Sequence, residues 1–515
     1  MNTDIRRKKN PAQPAGVHMP HRRIGPIRPR TPLYAGCIIA ALGLLANLRP
    51  ANAQDVRTNA SRTAAPFTGE QAVFDQQLER YVAQGLHSNL ALRDESLEVE
   101  KAVQALAAAR ARYLPELSLQ ARYTRAQGGR EFEIPIGTAL NPVYSTLNDL
   151  LEAQDQPAPF PRIEDTTVKF LRSEEQDTRL VARQPLYAPA LPAAVRAQRA
   201  LLDARRFNRM ALARALRRDI TLAYIAWLKA RNSSGIVAAS QALLSENLRV
   251  NESLYKNGRI TEDQVLRAQA ELLEVQQQRS EMDNLTTRAR SLFNFLLNRD
   301  LREPIMPSAA PANPAATIAA VELLWSAALE RRPEISRLEE LRQASEARLN
   351  VARKQRWPVL SLGLDAGTQG EEYRFGDGYN FGTVSLIFTW KLFDGGGDSA
   401  RVHQARAEQR QLVLRQEGIA QQIRLEVQQA HDRLVSAHES LATAEARSQA
   451  ARAGFRIASR KRDEGVINQV EFIDARSALT RAELNLNLTR FEVLERRAEL
   501  EYATSAGDIP LDPGT

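Results

Sequence analysis

The chain has 515 residues, with 70 Lys and Arg against 61 Asp and Glu, and a formal net charge of +9. Nine of the basic residues but only one acid, Asp4, fall within residues 1–53, so that segment carries +8 of the +9 and leaves +1 for everything after Ala53. A body this close to neutral, in a chain only 6% aromatic, is not built to grip nucleic acid.

The first 53 residues have the order of an export signal. A basic stretch ends near Arg30, an apolar run spans Leu33–Leu48, and Ala51-Asn52-Ala53 offers a small-x-small cleavage site before Gln54. The apolar run is shorter than the roughly 20 residues that a membrane-spanning helix needs, which favours a removed leader over a single anchoring helix. Met19 is a second candidate start. Cys37, the single cysteine, falls inside the leader, so the processed chain is expected to use neither disulfide nor thiol chemistry. Residues 54–85 then precede the first repeat.

The rest of the chain says everything twice. "ARARYLPELSL" (Ala109–Leu119) lies beside "ARKQRWPVLSL" (Ala352–Leu362), 243 residues on, and "NLAL" (Asn89–Leu92) beside "RPEI" (Arg332–Ile335) at the same offset. "RQPLYAP" (Arg183–Pro189) aligns with "TWKLFDG" (Thr389–Gly395) at 206, and Gly258 with Gly465 at 207. The offset changes only between residues 125 and 177, so the first half holds about 37 extra residues there. Gly, Pro and polar residues fill that stretch, and 126–176 reads as a long loop. These offsets predict a tandem duplication: a first repeat over 86–300, a proline-rich linker over 301–317, a second repeat over 318–505 and a tail over 506–515.

Within each repeat the pattern predicts helix, strand, loop, strand, very long helix, glycine turn and helix. Strands are expected at about 115–125, 177–187, 358–366 and 381–393. Leu117, Leu119, Ala121 and Tyr123 alternate with Ser118, Gln120, Arg122 and Thr124, and Val384, Leu386, Phe388, Trp390 and Leu392 with polar neighbours. Leu360, Leu362, Leu364 and Ala366 alternate likewise, while the set around Leu180 and Leu186 is less regular. Such alternation gives each strand one apolar and one wet face. The long helices run from Ala190 to Asn257 and from Asp398 to Glu464, each about 100 Å at 1.5 Å per residue. Past the glycines, Ala268, Val275, Met282, Ala289 and Leu296 recur every seven residues, as do Phe472, Leu479, Leu486, Val493 and Leu500. Strict heptads mark coiled-coil seams.

Four strands apolar on one side admit two solutions. Packed on the helices, they form a soluble sheet. Set in lipid, every backbone N–H and C=O must be paired, which requires a closed barrel, and four strands cannot close one. In that case several chains must share it.

The order, duplication and spacing of "LPELSL", "WPVLSL", "RRPEI", "WKLFDGGG" and the two glycine-turn motifs, "YKNGRITEDQVLRAQAEL" and "RDEGVINQVEFIDARSAL", together resemble the TolC family of outer-membrane channels over residues 70–505. The resemblance implies a mainly α fold with a small β part. It implies a homotrimer whose twelve-stranded barrel in outer-membrane lipid continues as a long helical barrel across the periplasm. It also implies a passive exit duct of a tripartite efflux or type I secretion system, partnered by a periplasmic adaptor and an inner-membrane pump of RND or ABC type. Gly258 and Gly465 would turn the helical hairpins at the periplasmic mouth, their left-handed backbone ending each long helix, with Thr261 and Asn468 as N-caps.

The family narrows its tunnel with acids six and nine positions after the second glycine. Here these are Glu471 and Asp474, which in three copies would favour cations; as an acidic pair on one helical face they equally suit an ordinary solvated surface. The family's gating tyrosine is replaced by Arg462 and a gating arginine by Ile467. In the first repeat the expected aspartate is Gln264, with Asp263 beside it. Arg462 could instead pair with an acid such as Glu471.

Other classes find less support. His431 and His438 lie seven residues apart on one helix, too far to share a zinc ion. "DGGGD" (Asp394–Asp398) lacks a phosphate-binding lysine, and no metalloprotease, P-loop or nucleophile-elbow motif is present. Neither enzyme activity nor a cofactor is expected. An exported periplasmic coiled-coil adaptor is the other open reading, although adaptors carry one hairpin and this chain has two.

Overall fold

The computed structural model describes residues 69–309, 318–507 and 509. The expected leader with Met19 and Cys37, the start of the 54–85 segment, linker residues 310–317 and tail residues 508 and 510–515 lie outside the described residues.

The first half runs through α1 (Gly69–Ser88), α2 (Leu90–Ala111), β1 (Glu116–Arg125), β2 (Glu131–Ile134), α3 (Ile136–Glu152), β3 (Thr166–Lys169), β4 (Glu174–Tyr187), α4 (Ala190–Lys256) and α5 (Glu262–Leu296). The second runs through α6 (Val321–Arg331), α7 (Pro333–Lys354), β5 (Val359–Gly370), β6 (Asn380–Thr389), α8 (Gly397–Asp463) and α9 (Gln469–Ala503). With β2, α3 and β3 set aside, the two halves repeat element for element, and helix dominates. Among the described residues no helix is long and apolar enough to cross a membrane.

Two features depart from the sequence pattern. The 126–176 stretch, read as a loop, contains the β2–β3 pair and the 17-residue helix α3. The helix expected before each first strand is two helices, broken at Asn89 and at Arg332. Arg332 precedes Pro333, whose ring disfavours helical backbone at the residue before it, and its φ and ψ are −67° and 122°. Asn89 is extended as well, and its carboxamide oxygen caps α2 by accepting from the Ala91 and Leu92 N–H groups at 3.0 and 3.2 Å.

Both breaks tie to the end of the same half's last helix. Asn89 Nδ2 donates to the Leu296 carbonyl at 2.9 Å, and Arg332 Nη1 to the Ala503 carbonyl at 3.3 Å. The two anchors and their two acceptors are related by the very offsets of the internal repeat, so the duplication survives as a contact and not only as a pattern. Arg332 is buried, and ion pairs to Glu334 at 2.8 Å and Glu426 at 3.0 Å compensate its charge.

The heptads pack the return helices onto the long ones. Val275 meets Val237 and Leu244 between α4 and α5, and Val493 meets Leu434, Ala437 and Leu441 between α8 and α9. The largest core lies where α1, α4 and α5 meet, with Phe491 and Leu494 of α9 packed into it. Tyr81, Tyr224 and Phe293 interlock there, with Tyr81 edge-on to Phe293 at 4.9 Å between ring centroids. The tyrosine hydroxyls are satisfied by the linker backbone: Tyr224 donates to the Met306 carbonyl at 3.0 Å, and the Met306 N–H donates to Tyr81 at 2.9 Å.

Candidate functional site

The four long strands form one antiparallel sheet in the order β1-β4-β5-β6, with β1 and β6 at its edges. Register decides the character of its faces. Leu119 lies opposite Leu180, Leu180 opposite Ala366, and Ala366 opposite Gly382. Leu117, Ala182, Leu364 and Val384 make the next row. The last strand ends at Thr389, so Trp390 and Leu392 of the expected alternation lie beyond it. The other apolar residues of that pattern fall on one face, and that face is bare: Leu119 is 71% exposed, Val384 77% and Leu386 65%. The irregularity near Leu186 is a β-bulge between Pro185 and Tyr187, where proline has no N–H for the ladder.

The opposite face is polar and laced together. Asp177 is buried between Arg122, at 3.4 Å, and Arg179, while the Arg179 guanidinium also lies 5.3 Å from the Phe381 ring centroid. Thr383 donates to Asp365 at 3.3 Å. A soluble sheet would cover its apolar face and wet its polar one. This sheet does the reverse of covering: its apolar band is open, and both edges carry unpaired backbone groups.

At the far end of the long helices the two glycines behave alike. Gly258 has φ +62° and Gly465 φ +73°, the left-handed conformation that costs glycine nothing. Each closes a Schellman motif. The Gly258 and Arg259 N–H groups donate to the Tyr255 and Leu254 carbonyls, both at 2.9 Å; those of Gly465 and Val466 donate to Arg462 and Lys461 at 2.9 and 2.7 Å. The caps beyond them differ. Asn468 accepts from the Glu471 N–H at 2.9 Å, as an N-cap does. Thr261 makes no cap, because its hydroxyl donates to the Asp263 carboxylate instead.

Glu471 and Asp474 stand one turn apart on α9, both exposed, and among the described residues neither forms an ion pair. Asp474 does have an acidic neighbour. Burial first, then repulsion from Glu274 and Asp474, holds the Glu271 carboxyl of α5 above its usual range. Asp263 is exposed and within 3.9 Å of Arg267, and Gln264 is half-buried beside it.

Arg462 does not reach Glu471. Its guanidinium lies 4.1 Å from the Phe472 ring centroid, donates to Asn247 Oδ1 of α4 at 3.1 Å, and touches Asp463 at 3.3 Å. The stack on Phe472 points the side chain across to the first hairpin, away from the Glu471 side of α9. It therefore joins the two hairpins near their tips.

Sequence reading missed the rest of that junction. Along the α4–α9 seam Ser233 accepts from Asn487 at 2.9 Å, buried Ser240 meets buried Thr480 at 3.3 Å, and Lys229 pairs with Glu495 at 2.6 Å. Ser233, Ser240 and Asn247 recur every seven residues on α4. Their period is visible in the sequence, but a polar heptad carries no burial signal without its partner. Within each hairpin the heptad seams are apolar; between hairpins these polar pairs alternate with apolar contacts of Leu484, Phe491 and Leu494 on α4.

The profile of the family described as "Outer membrane efflux protein" matches residues 324–506. Protein CyaE of Bordetella pertussis is 27% identical over 172 residues, a stretch spanning 33% of this chain and 36% of that relative. Among solved structures, the Campylobacter jejuni CmeC outer membrane channel has a TM-score of 0.68 at 16% identity, covering 84% of this chain and 86% of its own. The outer membrane protein VceC from Vibrio cholerae has a TM-score of 0.67 at 18% identity, covering 85% and 98%. The sequence match lies in the second half and the shared fold spans both: residues 324–506 match the outer membrane efflux protein family, and the chain has the TolC-like channel fold.

Proposed function

We propose that three copies of the chain close one twelve-stranded barrel in the outer membrane and continue it as a helical duct through the periplasm. The observation that carries this reading is the four-stranded sheet with its apolar band exposed and both edges open. Eight strands, from two copies, would enclose an interior just wide enough for side chains, whereas twelve leave a lumen. The trimeric habit of the family supports the same count.

The duct is passive, a route out for cargo delivered by an inner-membrane pump of RND or ABC type through a periplasmic adaptor, in tripartite efflux or type I secretion. The six hairpin tips of a trimer, turned at Gly258 and Gly465, form its periplasmic mouth. Glu471 and Asp474 ring the axis there as an acidic constriction, and Arg462 on Asn247 latches the second hairpin to the first, with Asp263 and Gln264 nearby. An adaptor would have no use for a bare apolar sheet face, which disfavours that reading.

Planar bilayers test the constriction. Purified wild-type protein is expected to pass cations over anions, and Glu471→Ala with Asp474→Ala to lose much of that preference. Unchanged reversal potentials in the double variant would remove both residues from the pore.

A further inference from the structure

The insertion between β1 and β4 is a small built unit. Asp165 accepts from the Thr138 N–H at 2.8 Å and the Thr138 hydroxyl at 2.6 Å, anchoring the start of α3. One turn on, Asn141 exchanges two hydrogen bonds with the Ile163 backbone, at 2.8 and 2.9 Å, and Asn148 exchanges two with Phe160, at 2.8 and 3.2 Å. A Cβ on Gly137 would lie 2.2 Å from the Ile163 carbonyl oxygen, so this glycine lets the chain approach. The polar side of α3 is therefore occupied by the insertion's own backbone.

The other side is empty. Ile136, Leu140, Val143, Leu147 and Leu150 are all between 38% and 56% exposed. They follow one another at intervals of four, three, four and three, the 3.5-residue period of a coiled-coil seam rather than the broader stripe of a helix on a core. With Leu140 and Leu147 at a positions, the d positions are Ile136, Val143 and Leu150. Leucine at a with isoleucine at d favours bundles of three or four over pairs, and two of the three d residues here, Ile136 and Val143, are β-branched. The helix contains no Lys or Arg, and its only charges are Asp149 and Glu152, which suits an anionic lipid surface poorly.

We propose that the occupant of this stripe is the same stripe of two other copies, so that three α3 helices pack about the axis as a plug over the end of the barrel that carries the insertions. This rests on the trimeric reading above and extends it. Pro142 sits at an outward position between Leu140 and Val143, where it costs the helix a hydrogen bond but leaves the seam clear.

The test uses the full chain with Cys37→Ala, extracted in detergent, with either Val143→Cys on the stripe or Ser145→Cys on the far side. Mass in detergent is measured alongside treatment with a short bis-maleimide. A trimer that cross-links through Val143→Cys, not through Ser145→Cys, and that loses the link when Leu140→Ser and Leu147→Ser are added, supports the plug. A trimer with no Val143→Cys link, or with equal links at both sites, overturns the plug and leaves the duct standing. A cysteine at 143 that is unlinked yet shielded only in lipid vesicles places the stripe on the membrane and also overturns it. A monomer overturns both.

Discussion

At Gly258 and Gly465 nothing lies within 4 Å of where a Cβ would stand, so the constraint is backbone conformation alone. Gly465→Ala is expected to cost about 1 kcal/mol of stability, and Gly465→Asn distinctly less, since asparagine tolerates the left-handed region. Denaturant midpoints of the detergent-solubilised variants check this ordering; equal losses would mean that sterics, not φ, set the requirement. Arg462 shows the reverse case, in which side chain matters and backbone does not. Arg462→Ala removes the stack on Phe472 and the bond to Asn247, so the mouth is expected to open more often in single-channel records. Arg462→Lys should not restore closure, because an ammonium lacks the planar fork. Unaltered open probability in Arg462→Ala would remove the latch. The two glycines were legible in the sequence because a left-handed C-cap is a local demand. Arg462's partner was not, since Asn247 lies 215 residues away and only the folded seam brings them together.

Between elements, apolar heptad seams inside the hairpins contrast with a mixed seam between them, where buried polar pairs sit among apolar residues of α4 and α9. Thr480→Val leaves the buried Ser240 hydroxyl without its partner and is expected to cost about 1 kcal/mol, whereas adding Ser240→Ala removes both polar groups and returns most of it. A double-mutant cycle with no coupling would show that the contact is incidental. Element-scale pattern was otherwise the most readable layer. Alternation marked the four strands because one face is bare and one polar, and the heptads of α5 and α9 marked their packing because every seventh residue is apolar. The helix α3 escaped because Gly137 and Pro142 lie inside it and Pro135 just before it, and these residues signal a loop when neighbours are judged by composition. The breaks at Asn89 and Arg332 did leave local marks, an N-capping asparagine and a proline at 333, but the carbonyls at the ends of distant helices that anchor them are visible only in the fold.

For the whole molecule, the sheet is the decisive part. An apolar band aligned across four strands cannot be left in water, and edges at β1 and β6 cannot be left in lipid. Both are resolved at once if β6 of one copy pairs with β1 of the next until the ring closes. The helices are carried along by this closure, since α4 follows β4 and α8 follows β6 after short connections. The direct measurement is the mass of the processed full chain extracted from membranes in detergent. The account predicts a particle of three copies that needs detergent to stay in solution; a monomer that remains soluble in plain buffer would contradict it.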